Sequence, residues 1–170
     1  FNDPWPWWKR LGYRWLEKIS ADWKDIIIVN NKHDYNQAVR FGITPRDKVV
    51  LIYNGIDPYK LEFLEKEEAR MRLYEKLPSD QKQGNFLREG LIIGTIANFY
   101  PTKGLSYLIE AMNILNYKLQ TTNYKLLIIG DGPERENLRL LTTHYSLLTK
   151  VILAGRIPDA YKYLKAFDIF

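Results

Sequence analysis

Residues 91 to 104, LIIGTIANFYPTKG, pass from three aliphatic side chains through Gly94 into a polar loop and close on Lys103 and Gly104, just ahead of a helical pattern. That order describes a strand, a loop and a helix start. A helix start leaves backbone N–H groups unpaired and places the positive end of the dipole at the loop, which favours an anion. Lys103 adds a point charge there, and Gly94 and Gly104 would let backbone approach a phosphate closely. The working reading is a cradle for the phosphates of a nucleotide-linked substrate. The alternative, open on spacing alone, is a solvated lysine between turn glycines.

Two further loops carry residues of the same kind. Gly130-Asp131-Gly132-Pro133-Glu134-Arg135 follows an aliphatic run, and Gly155-Arg156-Ile157-Pro158 follows another. The first lacks the third glycine of the dinucleotide fingerprint, which argues against hydride transfer. Asp131 reads as a turn or cap residue or as a ligand contact, and Arg156 as a residue reaching a base or phosphate or as an exposed loop arginine. Glu134 and Glu136 suit the first turn of a helix that Pro133 opens. No Walker sequence and no Asp-x-Asp occurs, so no metal-clamped diphosphate of that kind has visible ligands. His33 and His144 stand on separate helical segments without partners at metal-ligand spacing.

The elements that must hold these loops follow from periodicity. Leu91–Ile93, residues 124 to 129, Val151–Leu153 and Asp168–Phe170 are short apolar runs separated by helical patterns, which predicts a parallel, Rossmann-like sheet. In such a sheet ligands lie beyond the carboxyl ends of the strands, so the three glycine-bearing loops share one edge. The predicted helices run from about Leu105, from Pro133 to about Leu148 and from Pro158 to Ala166. Upstream, residues 25 to 29 and 48 to 53 are predicted strands buried on both faces. They flank a helix capped by Asn30 or Asn31 and ended by Gly42. Residues 61 to 77 read as a charged amphipathic helix with a solvated outer surface, and residues 78 to 90 as a connection.

Residues 4 to 20, PWPWWKRLGYRWLEKIS, hold four of the five tryptophans, with Trp8, Leu11, Trp15, Leu16 and Ile19 at helical spacing and Lys9, Arg10, Arg14 and Lys18 between them. Three readings stay open for this helix: packing its aromatic stripe on a core, lying on a membrane surface, or stacking single-stranded nucleic acid. The chain has no cysteine, so disulfides and thiolate chemistry are excluded, and its net charge of +5 suits anionic partners. Phe1 has no methionine before it and the chain stops on a strand just begun, which reads as an internal stretch of a longer protein.

Five segments together resemble glycosyltransferase family 4, retaining enzymes of the GT-B fold: Ala21-Asp22 with the strand to Val29; residues 48 to 57, KVVLIYNGID; Gly94 through Lys103-Gly104 with the Leu-Ile-Glu-Ala111 that follows; Gly130 to Arg135; and Val151 to Phe170 with Ala166-Phe-Asp168. The resemblance implies an α/β protein of two Rossmann-like domains, both incomplete here, with an active site in the cleft between them. Residues 1–57 would be the C-terminal part of the N-terminal, acceptor-side domain. Residues 58–90 would be an interdomain linker with a charged helix, and residues 91–170 the first part of the nucleotide-sugar-binding domain. Asn54, Gly55 and Asp57 would mark the crossing.

The resemblance further implies transfer of a sugar from a nucleoside-diphosphate donor to a saccharide or lipid-linked acceptor, in polysaccharide biosynthesis, with no cofactor, no metal and no nucleic-acid partner. Lys103, Gly104 and Asn98 would meet the donor diphosphate, with Asn98 where the family carries an arginine. Gly130, Asp131, Gly132, Arg156 and Ile157 would line the nucleotide side. The family's histidine and two-glutamate motif fall outside residues 1–170, so the chain by itself would be inactive. The implied location is cytoplasmic, at the inner membrane face if residues 4–20 make peripheral contact. A sugar-nucleotide epimerase of the same architecture and a non-catalytic membrane-associated module are the rival readings.

Overall fold

Tyr124, Leu126 and Ile128 alternate with Leu127 and Ile129 along one strand, and all five are buried. A strand apolar on both faces has to be covered on both. The computed structural model, which describes residues 6–82, 90–119 and 124–170, shows how this is done. The chain divides into two compact units, Phe1–Pro58 and Tyr59–Phe170.

In the second unit β3 (Leu91–Ile96), β4 (Tyr124–Ile129) and β5 (Val151–Gly155) form a parallel sheet in the order β3-β4-β5. Ile169 pairs in parallel with Ile93 on the other edge of β3. On one face, α4 (Leu105–Leu119) and α5 (Arg135–His144) set Leu105, Ile109, Met112 and Leu138 against Leu126, Ile128, Val151 and Leu153. On the opposite face, α3 (Lys66–Lys76) and the 3-10 helix Ala160–Ala166 set Ala69, Leu73, Tyr163 and Ala166 against Leu127, Ile129, Ile152 and Ala154. Each fully buried aliphatic side chain contributes about 1.5–3 kcal/mol, so a few inward residues hold α3 in spite of its charge.

Several expected boundaries shift, each for a local reason. The charged helix begins at Lys66 rather than at residue 61, because Leu64 N–H donates to the Lys162 carbonyl at 2.9 Å and Phe63 meets Tyr161 edge-on, which holds this stretch extended. Its outer surface is not wholly solvated either, since Arg70 is buried. Helix α5 stops at His144, where Ser146 takes a left-handed conformation (φ 55°) and Leu147 and Ser146 N–H close back on Thr142 and Thr143, so the helix cannot reach Leu148. Of the expected connection from 78 to 90, residues 83–89 lie outside the described residues.

The first unit is a parallel β-α-β arrangement preceded by α1 (Trp7–Ala21). β1 (Ile27–Val29) pairs with β2 (Val49–Leu51), and α2 (Lys32–Arg40) crosses between them. Asn31 caps α2 by accepting from Asp34 N–H at 2.8 Å, and Gly42 follows its end at φ 57°. Both strands are shorter than expected and are not buried on both faces. Ile28 is 64% exposed, because a two-stranded ladder leaves one face uncovered among the described residues. Packing of the aromatic stripe on a core is likewise not what α1 does among the described residues. Trp7 and Trp15 are 74% and 71% exposed, and Trp8, Leu11, Leu16 and Ile19 are also exposed. Its inward contacts are the buried Ala21 and the Arg14 guanidinium, 3.7 Å above the Phe41 ring.

Candidate functional site

The three loops at the carboxyl ends of β3, β4 and β5 are knitted together by backbone hydrogen bonds. Ala97 N–H donates to Ile129 O, Phe99 N–H to Asp131 O, Gly130 N–H to Gly155 O and Glu134 N–H to Phe99 O, all at 2.9–3.0 Å. Phe99, wholly buried among the residues packed by α4 and α5, pins the first loop from below. Gly130 is obligatory here. It sits at φ 147°, and a Cβ on it would lie 1.9 Å from the Ala97 carbonyl oxygen.

Above this floor lies a cavity of about 360 Å³. Ile96, Ala97, Ile129 and Gly130 form its base. Asn98 and Lys103 face it from the β3 loop, and Arg156, Ile157 and Ala160 from the β5 side. Among the described residues no carboxylate lines it. The nearby Asp131 turns to its own loop, accepting from Gly132 N–H at 2.9 Å and lying 3.4 Å from the Arg135 guanidinium. The side chains of Lys103 and Arg156 have no hydrogen-bond or ion-pair partner among the described residues, so two cations meet an acid-free hollow. Such a hollow is suited to a polyanion.

Five of the sequence-derived candidates, Asn98, Lys103, Gly130, Arg156 and Ile157, therefore share one cavity. Gly104, Asp131 and Gly132 do not line it. Gly104 closes the 3-10 turn Pro101–Lys103 at φ 65°, next to the start of α4. Gly94 has a different task from the one expected. It is buried, and a Cβ there would lie 2.1 Å from the Phe167 ring, so it makes room for an aromatic side chain and not for a phosphate. Glu134 serves the start of α5, its carboxylate accepting from Asn137 at 3.2 Å. Asn54, Gly55 and Asp57 lie in the exposed irregular run that follows β2. Sequence reasoning missed Ile96, Ala97, Ile129 and Ala160 as lining residues, although the first three are what the ends of β3 and β4 must present. It also missed Phe99, whose one signal is a large apolar residue inside a polar loop.

The model of the family described as glycosyl transferases group 1 matches residues 78–170, over half of the chain and the whole of this cavity. The chain belongs to the glycosyl transferases group 1 family. An uncharacterised glycosyltransferase of Methanocaldococcus jannaschii is 30% identical over 128 residues, which cover 74% of this chain and 30% of that protein. The lipopolysaccharide core biosynthesis glycosyltransferase LpsD of Rhizobium meliloti is 33% identical over 82 residues, covering 48% of this chain and 22% of LpsD. Among solved structures, Anabaena HepE in its complex with UDP and glucose superposes with a TM-score of 0.66 at 18% identity, over 91% of this chain and 40% of that one. The fold is thus that of GT-B glycosyltransferases, and this group 1 chain spans under a third of the length of the two curated relatives. Among the described residues no helix is long and apolar enough to cross a membrane.

Proposed function

We propose that this glycosyl transferases group 1 chain binds the nucleoside-diphosphate end of a sugar donor in the cavity at the carboxyl ends of β3, β4 and β5. The carrying observation is Lys103, without a side-chain partner among the described residues, facing a hollow that no described carboxylate lines. In the reaction the bond between the sugar's anomeric carbon and the terminal phosphate oxygen breaks, and an acceptor hydroxyl bonds to the same face and passes its proton to the departing phosphate oxygen, so that configuration is retained. Negative charge grows on the departing diphosphate. A fixed ammonium stabilises it most where water is excluded. Lys103 and Asn98 meet the diphosphate, with the first turn of α4 beside Gly104 adding its dipole. Gly130, Asp131, Gly132 and Ile157 shape the nucleotide side.

On this reading residues 91–170 are donor-side, residues 1–57 acceptor-side and Asn54, Gly55 and Asp57 the crossing. The donor is a hexosyl or related nucleotide, and the acceptor a saccharide or a lipid-linked saccharide, the latter supported by the likeness to LpsD. The test is binding. Lys103→Ala is expected to weaken a nucleoside diphosphate by about tenfold and the free nucleoside hardly at all. Equal losses for both ligands would defeat the assignment.

A second reading concerns α1 and is compatible with the first. Its exposed Trp7, Trp8, Trp15 and Leu16, with Lys9 5.3 Å over the Trp8 ring, suit peripheral contact with an anionic membrane face. Co-sedimentation with vesicles rich in phosphatidylglycerol should fall when Trp8 and Trp15 are both replaced by alanine. Unchanged sedimentation would remove the idea.

A further inference from the structure

Much of the loop backbone around the cavity is already engaged. The N–H groups of Ala97, Phe99 and Gly130 are engaged by carbonyls of neighbouring loops, and those of Lys103 and Gly104 turn back onto Tyr100 and Pro101. A phosphate entering this hollow has the first turn of α4 on its Lys103 side, and beyond that turn it meets side chains. Asn98 contributes an amide without charge. Among the described residues the other cation that faces the cavity, besides Lys103, is Arg156 on the loop after β5, two strands away. Gly130, which stands between the two, has no side chain to obstruct a ligand lying across it.

We infer that Arg156 is the second cation for the diphosphate, so that the ligand's charge is bridged between Lys103 on one side of the cavity and Arg156 on the other. This rests on the donor reading above and adds to it a residue and an orientation, with the diphosphate lying across the end of β4 rather than confined to the β3 loop. A guanidinium offers a planar fork of donors to phosphate oxygens, and a lysine at this position would keep the charge but lose the fork, preserving part of the attraction. A side chain that instead stacked on the base would lose its contact when replaced by lysine.

The experiment measures dissociation constants of the 170-residue chain for nucleoside, monophosphate and diphosphate in the uridine, guanosine and adenosine series, using the series whose diphosphate binds most tightly. The proteins are the natural chain, Arg156→Ala, Arg156→Lys and Lys103→Ala. Arg156→Ala is expected to weaken the diphosphate by about tenfold and the nucleoside by less than about twofold, with Arg156→Lys recovering part of the loss through its charge. Arg156→Ala weakening nucleoside and diphosphate by the same factor would overturn the inference and leave the donor reading standing, provided that Lys103→Ala still discriminates between them. A diphosphate that binds no better than its nucleoside to the natural chain would overturn both.

Discussion

Arg70 Nη2 lies 2.6 Å from Oδ2 of Asp168, a residue 98 positions further along the chain. The arginine is on α3 with its side chain 7% exposed, and the aspartate precedes the segment that pairs with β3. The same carboxylate accepts from Lys66 at 2.6 Å and from Ile92 N–H at 2.7 Å, while Arg70 Nε donates to the Ala166 carbonyl at 3.0 Å. One acidic side chain thus ties α3, β3 and the last described residues together.

Removing Asp168 leaves the buried Arg70 guanidinium without its counter-charge, and removing Arg70 leaves the carboxylate to Lys66 and Ile92 N–H alone. Asp168→Asn or Arg70→Ala should each lower the unfolding free energy by about 2–3 kcal/mol, less than for a fully buried pair because Asp168 keeps some contact with water. Urea denaturation followed by circular dichroism measures it. A loss smaller than about 0.5 kcal/mol, the size usual for a surface substitution, would show that the contact is ornamental.

The acid response follows from the same group. Burial by itself would raise the Asp168 carboxyl, but the Lys66 hydrogen bond, the Ile92 N–H and the charges of Arg70 and Lys66 outweigh it and hold the group below its ordinary value. A depressed folded value means that the stabilisation is complete above the unfolded value of about 4 and is lost as pH falls through the folded one. The natural chain should lose stability below about pH 4 more steeply than Asp168→Asn. Parallel acid curves for the two proteins would contradict this.

Gly94 offers a test of packing rather than charge. Gly94→Ala drives a methyl into the Phe167 ring, which is itself buried and stacked on Phe170 with centroids 5.8 Å apart. Overpacking of this kind costs about 1–3 kcal/mol. Combining it with Phe167→Leu should cost less than the sum of the two single changes, because the smaller side chain vacates the contact. Strict additivity would mean that the ring is not what the methyl meets.

How far the sequence foretold all this depends on how local the cause is. The parallel sheet was legible because residues 124 to 129 and Val151–Leu153 are apolar runs that only a doubly covered sheet can bury. The cavity was legible through Lys103, Gly130 and Arg156, which follow the ends of β3, β4 and β5. What escaped depends on pairs distant in sequence. The extended stretch before α3 is fixed by Lys162, the burial of Arg70 by Asp168 and the closeness of Gly94 to its neighbour by Phe167. Composition likewise made α1 helical without saying that its tryptophans would stand exposed among the described residues.

The central claim is that the hollow between Lys103 and Arg156 receives a nucleoside diphosphate. An amide NMR titration of the chain with UDP, GDP and ADP in turn tests it most directly. The account predicts that at least one of them shifts the signals that surround the cavity, namely residues 96–98, Lys103, Gly130, Arg156, Ile157 and Ala160, while α1 and β1 stay unchanged. Saturable shifts confined to other residues, or none with any of the three, would contradict it.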